Sequence, residues 1–497
     1  MHVLMLGWEF PPFIAGGLGT ACHGLTKAMS RAGMRVTFVL PKVIDRSQSS
    51  HVDLLAPVQA DGNVASDVGL MTTADGETIC FQAGQSGVPG TQQIPFSRER
   101  RSGFENVRFI GIPSRLANPY QKKSGEGPVG HWRFKPGAGS RAAGNPGASS
   151  ADFEGVSYET LEASAAIPPA YRANASIVSS SDYGGDLVSE VVRFARFCAD
   201  AARHLKFDVI HAHDWMTYPA GLMIARLTGK PLVVHVHSTE FDRSGVHVNQ
   251  RVYDIERRGL HGAMRVVAVS QLTRNVISSR YGVPEQRIEV VYNGVDLEPT
   301  QGEHMTGIQS RDKIVLYFGR ITYQKGPEYF IAAAKRVLDI MPDVKFVVAG
   351  SGDQAKGMIE MAAHLGIGHK VLFTGFLRGK DIQRVFALAD LYVMPSVSEP
   401  FGIAPLEAMG HNVPVIISKS SGVSEVLSHA LKVDFWDTDD MANKIIAVLR
   451  HPPLQRTLQE HGAFEVRRLT WDGAAQRCDA VYRAAIDEMR QRRFARA

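Results

Sequence analysis

Short apolar runs recur along the chain, each followed by a polar or glycine-bearing break and then by apolar residues at spacings of three and four. The first run, His2-Val3-Leu4-Met5-Leu6-Gly7, predicts a buried strand. A loop rich in glycine and proline follows, and from about Leu18 the positions Leu18, Cys22, Leu25, Ala28 and Met29 take helical spacing. With the strand Arg35-Val36-Thr37-Phe38-Val39-Leu40 this makes a βαβ opening. The same alternation returns after about residue 185, with an amphipathic helix over 187–205 and strands at 209–213, 232–237, 265–270 and 288–292. It continues with strands at 314–319, 345–350, 371–374, 391–394 and 414–418, and helices over 327–338, 437–449 and 471–490.

Residues 42–185 break the pattern. Thr78-Ile79-Cys80-Phe81 and Val107-Arg108-Phe109-Ile110-Gly111-Ile112 are strand-like, but the tract over 135–151 is poor in large apolar residues and reads as a loop. Arg98-Glu99-Arg100-Arg101 reads as a solvated turn. A chain of 497 residues exceeds one ordinary core. We therefore expect an α/β protein of two doubly wound domains: 1–295, carrying the irregular insertion, then 296–465. The final segment, 466–497, is a helix with a disordered tail from Arg492. Asn293-Gly294-Val295-Asp296 is the turn between domains.

Composition narrows the class. With 44% hydrophobic and 21% charged residues and a net charge of +5, the chain resembles ordinary globular proteins and lacks a nucleic-acid footprint. Cys22, Cys80, Cys198 and Cys478 lie far apart without C-x-x-C spacing, as expected of free thiols in a reducing, cytoplasmic compartment. No apolar run reaches the length of a transmembrane helix, and the first residues read as a strand rather than a signal peptide.

Three strand-to-helix breaks and one strand end carry the candidate chemistry. They are Gly16-Gly17-Leu18-Gly19, His211-Ala212-His213-Asp214-Trp215, Gly319-Arg320 through Lys325-Gly326, and Glu399-Pro400-Phe401-Gly402-Ile403 through Glu407. Glycines let a backbone approach a diphosphate, and Arg and Lys on one loop can clamp two phosphates. If a helix starts at Gly402, Glu399 sits in the loop, Glu407 lies about one and a half turns into the helix, and the first amides lie between them. His211, His213, His235 and His237 fall in two pairs spaced by two, which raises a metal alternative, but no cysteine or H-E-x-x-H pattern accompanies them.

Taken together, these stretches resemble the retaining glycosyltransferases of GT-B fold, in the group 1 and glycogen synthase-like family, whose signature is Glu-x7-Glu. The resemblance implies transfer of a hexosyl unit, glucosyl above others, from a nucleotide diphosphate-sugar to a glycan, sugar or sugar-phosphate hydroxyl, with no metal or other cofactor. It implies catalytic roles for His213, Arg320, Lys325 and Glu399, and donor contacts from Gly17, Gly19, Phe401, Gly402, Ile403 and Glu407. In this reading His213 contacts the sugar, Glu399 holds its hydroxyls and Glu407 binds the ribose. Ala15 stands where bacterial starch-type synthases carry a lysine, which points away from an ADP-glucose-dependent enzyme of that type. In relatives the terminal helix crosses back onto the first domain. The competing readings are a UDP-sugar 2-epimerase of the same architecture and an inert sugar-nucleotide-binding protein. His237 and Glu240 read as secondary acceptor-side or core groups.

Overall fold

A computed structural model describes residues 1–10, 16–43, 68–72, 78–82, 106–114, 185–296 and 312–495. Ala15, the turn at 98–101, the tract at 135–151 and most of the insertion lie outside the described residues.

The first sheet has seven parallel strands: β1 (His2–Leu6), β2 (Arg35–Val43), β5 (Val107–Ser114), β6 (Val209–His213), β7 (Leu232–Val236), β8 (Arg265–Ala268) and β9 (Ile288–Val290), ordered β5-β2-β1-β6-β7-β8-β9. The second has six: β10 (Lys313–Phe318), β11 (Val344–Ala349), β12 (Val371–Gly375), β13 (Leu391–Met394), β14 (Val415–Ser418) and β15 (Leu431–Val433), ordered β12-β11-β10-β13-β14-β15. Within the insertion, β3 (Val68–Thr72) and β4 (Thr78–Gln82) form an antiparallel pair.

Each large sheet starts at its middle. The chain runs outward from β1 to β2 and β5, returns to the other flank of β1 as β6, and continues outward. The second sheet repeats this from β10 to β12, then back to β13. Parallel strands joined this way leave a crevice beyond their carboxyl ends where the direction reverses, here between β1 and β6 and between β10 and β13.

Alternation along the strands divides each core in two. Leu4, Leu6, Ile210 and Ala212 face one helical layer of the first sheet, while Val3, Met5, Val209 and Val233 face the other. The terminal helix Trp471–Phe494 completes that second layer: Trp471, Ala474, Ala475, Cys478, Val481 and Tyr482 are buried with the β1 and β8 side chains. It packs on helix Gly17–Arg31, where a side chain at Gly24 would meet the Trp471 indole at 2.2 Å. The tail expected to be disordered stays helical through Phe494, with Arg492 paired to Glu488 one turn earlier at 2.6 Å. Cys22, Cys198 and Cys478 are free and buried, and burial raises all three thiols above their ordinary pKa. Among the described residues no helix is long and apolar enough to cross a membrane.

Candidate functional site

The two reversal points gather the candidate residues. Arg320 and Lys325 lie in the break after β10, and Glu399 in the loop after β13, 74 residues on from Lys325. The two strands are neighbours, and the loops close onto each other: Val397 N–H donates to Gln324 O at 2.9 Å, and Lys325 Nζ forms an ion pair with Glu399 Oε2. Gly326 permits the approach. It has φ of +60°, and a Cβ there would lie 2.2 Å from the Pro395 carbonyl oxygen. Ser396 Oγ also donates to Glu399 Oε2 at 3.4 Å, and Glu399 is only 7% exposed.

Tyr317 and Tyr392 show that further charges converge here. The Tyr317 hydroxyl is pushed up first by burial and then by Glu328 and Glu399, with Arg320 opposing. Its O–H donates to the Arg320 carbonyl at 2.8 Å. Tyr392 is raised by burial, Glu399, Tyr317 and Glu407, so one buried phenol lies within electrostatic reach of both acids of the Glu-x7-Glu pair. Burial alone raises Glu407 to about 7, although its residue keeps partial contact with solvent.

Two details differ from the expected layout. The helix begins at Ala404 rather than Gly402, which puts Glu407 in its first turn. Gly402, at φ +104°, still belongs to the loop, where a side chain would press on Glu399 Cγ at 3.2 Å and on Met394. Phe401 is 2% exposed and packs into the second-domain core beside Tyr292, with its carbonyl accepting from Val423 N–H at 2.7 Å. An aromatic ring in an apolar neighbourhood gains more by joining the core than by facing a polar ligand. Ile403 is the residue preceding the helix and is partly exposed.

At the reversal point of the first sheet, Gly17 and Gly19 lie in the first turn of helix Gly17–Arg31 and not in the loop before it. Gly17 has open space on its Cβ side, whereas a Cβ at Gly16 would lie 2.6 Å from Glu9 Oε2. His213 ends β6. Register pairs it with His235, so His211, His213 and His235 share one face of the sheet with His237 beyond. His213 Nδ1 and His237 Nε2 are 2.9 Å apart, and His211 Nε2 and His235 Nδ1 are 3.2 Å apart. His235 and His237 stack with centroids 4.2 Å apart, and His211 and His213 lie tilted at the same distance. Tyr482 of the terminal helix hydrogen-bonds His211 Nδ1 at 2.5 Å.

Burial, the largest cause for each ring, lowers His213 and His235 well below the ordinary histidine range and His211 and His237 to about 3, so the block is neutral at pH 7. His213 is fully buried, and its Nε2 has no hydrogen-bond partner among the described residues. Three of the rings bring donor nitrogens within 4.8 Å of one another. The hydrogen bonds inside the block already engage both nitrogens of His211, one of His213 and one of His235.

Asp214 has φ of +57°, unusual for a residue with a side chain. Its Oδ1 accepts from His237 N–H at 2.7 Å and Ser238 N–H at 3.3 Å, tying β6 to the turn after β7. Glu240 belongs to the first-domain interior: with Arg243, Glu256 and Tyr281 it forms a buried ion-paired network.

Comparison with known proteins follows the same division. Residues 303–463 match the family model for glycosyl transferases group 1, residues 163–299 that for glycosyltransferase family 4, and residues 2–96 that for the starch synthase catalytic domain. An uncharacterized glycosyltransferase of Methanocaldococcus jannaschii is 32% identical over 302 residues, covering 57% of this chain and 77% of the relative. The chain belongs to the group 1 glycosyltransferases.

A D-inositol 3-phosphate glycosyltransferase of Segniliparus rotundus is 28% identical over 307 residues, 58% of this chain and 68% of the relative. Sucrose-phosphate synthase from Thermosynechococcus elongatus shares the fold of this group 1 glycosyltransferase, with a TM-score of 0.64 at 18% identity over 98% of this chain and all of that one. The catalytic domain of starch synthase IV from Arabidopsis thaliana, solved with ADP and acarbose, gives a TM-score of 0.61 at 15% identity, covering 98% and 99% of the two chains. The fold is therefore GT-B.

The signals for the machinery outside the motifs were weak or absent. Tyr317 and Tyr392 lie within predicted strands and Tyr482 within the predicted terminal helix, and nothing in the local sequence marks them or Ser396. Asp242 carried one readable sign: Thr239-x-x-Asp242 fits the capping-box pattern, and the structure forms that box.

Proposed function

We propose that this glycosyltransferase moves a hexosyl unit, glucosyl above others, from a nucleotide diphosphate-sugar to a carbohydrate or related hydroxyl, with retention of anomeric configuration and without a metal. The observation that carries the reading is the Lys325–Glu399 ion pair at the β10/β13 reversal point, with Arg320 opening the same loop. Departure of a nucleoside diphosphate builds negative charge on its distal phosphate. Lys325 and Arg320 offset that charge in the position a divalent cation would otherwise hold, each worth roughly 3 kcal/mol by analogy with single oxyanion donors. The amides of Gly402 and Ile403 add neutral donors beside them. Glu399, released from Lys325 as phosphate takes its place, accepts hydrogen bonds from sugar hydroxyls, and Glu407 does the same for the ribose.

His213 meets the sugar from the first domain, with Gly17 and Gly19 bordering the phosphates. A neutral imidazole suits an uncharged hydroxyl, since it neither attracts nor repels the leaving phosphate. No enzymic nucleophile is assigned: the leaving phosphate itself takes the acceptor proton on the face the sugar leaves. The names of two relatives, an inositol-phosphate glycosyltransferase and a sucrose-phosphate synthase, support a hydroxylated acceptor and leave the choice among glycan, hexose and hexose phosphate to experiment.

The test is incubation with UDP-glucose, ADP-glucose and GDP-mannose, with and without a glucan, a hexose or a hexose phosphate, in the presence of chelator. The expected result is acceptor-dependent release of one nucleoside diphosphate and a product whose anomeric proton matches the donor's configuration. An inverted product, or release abolished by chelator, contradicts the reading.

A further inference from the structure

The loop that carries Glu399 is held from both domains. On its own side, Gln324 O accepts from Val397 N–H, and Glu399 N–H donates to Ser420 O at 3.0 Å. From the other side come two direct bonds: Thr273 Oγ1 donates to the Pro400 carbonyl at 3.3 Å on the far side of Glu399, and Ser398 Oγ donates to Asp242 Oδ1 at 2.7 Å, the only one of the two that ends on a carboxylate, joining residues 156 apart in sequence. Asp242 is built to make it. Its Oδ2 accepts from the backbone N–H and hydroxyl of Thr239, both at 2.7 Å, which fixes the carboxylate and leaves Oδ1 directed at Ser398. The short helix Glu240–Ser244 that bears it is pinned beneath by the Arg243–Glu240 and Arg243–Glu256 ion pairs, and Asp242 is only 8% exposed.

We infer that the Asp242–Ser398 bond is a latch between the two domains, and that Asp242, on the domain opposite the nucleotide, is a positioning residue for Glu399. The inference rests on the reading of Glu399 as the donor-side acid. Rotation of one domain away from the other breaks the bond and frees residue 398, next to the carboxylate that must meet the sugar. Closure remakes it and orders that carboxylate. A charge-accepted hydrogen bond of this kind, removed from a largely buried site, changes an equilibrium by about tenfold or more. A further tie between domains lies elsewhere: Glu425 accepts from Gln271 N–H at 2.8 Å and Leu272 N–H at 2.6 Å at the start of helix Gln271–Tyr281, and from the Tyr292 hydroxyl. Glu425 joins the domains beside the chain crossover, whereas the latch joins them at the reacting groups.

The test compares Ser398→Ala and Ser398→Thr with wild type by amide hydrogen exchange of the full chain, reading the peptides over 238–245 and 395–403. Ser398→Ala leaves the Asp242 capping box untouched, so it separates the latch from helix stability. The latch predicts that Ser398→Ala speeds exchange about tenfold in both peptides, on both domains, and that Ser398→Thr restores protection. With UDP-glucose, ADP-glucose or GDP-mannose as donor, it also predicts a turnover number about tenfold lower for Ser398→Ala, with donor KM within about threefold of wild type. Faster exchange confined to 395–403, or unchanged exchange in both peptides, overturns the latch. Glu399→Gln serves as the separate control: full turnover there removes the underlying reading of Glu399, whereas lost turnover there with normal Ser398→Ala removes the latch alone.

Discussion

The two reversal points of the molecule are built on the same topology and filled with opposite chemistry. Between β10 and β13 lie charged groups, Lys325 paired with Glu399 and Arg320 close by, with Glu407 beyond, its carboxyl raised by burial to about 7. At the end of β6 and of the neighbouring β7, three buried imidazoles and the partly buried His237 are neutral and hydrogen-bonded in pairs. In the function proposed above, the first crevice would take the charged half of a sugar nucleotide and the second its uncharged half. A shared fold thus fixes where a ligand can sit, and the side chains at the strand ends decide which part of it sits there.

The largest expected effect comes from removing the cation. Lys325→Ala should lower turnover by about a hundredfold or more with little change in melting temperature, since the lysine side chain is partly exposed. Near-wild-type turnover would dissolve the contrast, because the charged crevice would then have no catalytic consequence. His213→Ala should reduce turnover by about tenfold to a hundredfold while preserving affinity for the free nucleoside diphosphate. Equal losses of nucleotide affinity in the Lys325 and His213 variants would mean that the two crevices do not divide the donor between them.

Glu407→Gln should weaken donor binding about tenfold, more than it slows the bound complex, as read by calorimetric titration beside turnover at saturation. It also has a pH signature. The folded-state pKa of Glu407 is raised by burial to about 7, so its contribution favours the folded state at low pH and is lost as pH rises through that value. Between about pH 5 and pH 7 the melting temperature of the Gln variant should gain on that of wild type by about 1–3 °C, a difference from which the buried histidines, common to both proteins, cancel. The smallest effect concerns the scaffold of the neutral crevice. Tyr482→Phe deprives buried His211 Nδ1 of its partner and should cost about 1–3 kcal/mol in stability, seen in denaturant unfolding, with donor affinity unchanged.

Much of this organisation was legible in the chain. Strands and helices over 185–296 and 312–495 follow from apolar runs and 3.6-residue spacing, and the strand-end glycines, cations and acids mark both crevices. What escaped reading was contact between distant residues. Tyr482 and His211 are 271 positions apart, and Ser398 and Asp242 are 156 apart; each of these side chains looks ordinary in its local sequence. The period-two spacing of the histidines placed them on one side of a strand, but their pairing needed the register of β6 against β7. Phe401 shows the same limit, because its place inside the acidic motif says nothing of the apolar neighbours that take its ring. The helix start moved from Gly402 to Ala404 because Gly402 takes a left-handed conformation that continues the loop.

The account stands on Lys325 leaving Glu399 to receive a phosphate. Titration of UDP, ADP and GDP into wild type, Lys325→Ala and Glu399→Gln tests this most directly. For the nucleotide that binds wild type, the account predicts affinity at least tenfold weaker in Lys325→Ala, and equal or tighter in Glu399→Gln, where the lysine has lost its competing carboxylate. Undiminished binding by Lys325→Ala, or weakened binding by Glu399→Gln to the same degree, would contradict it.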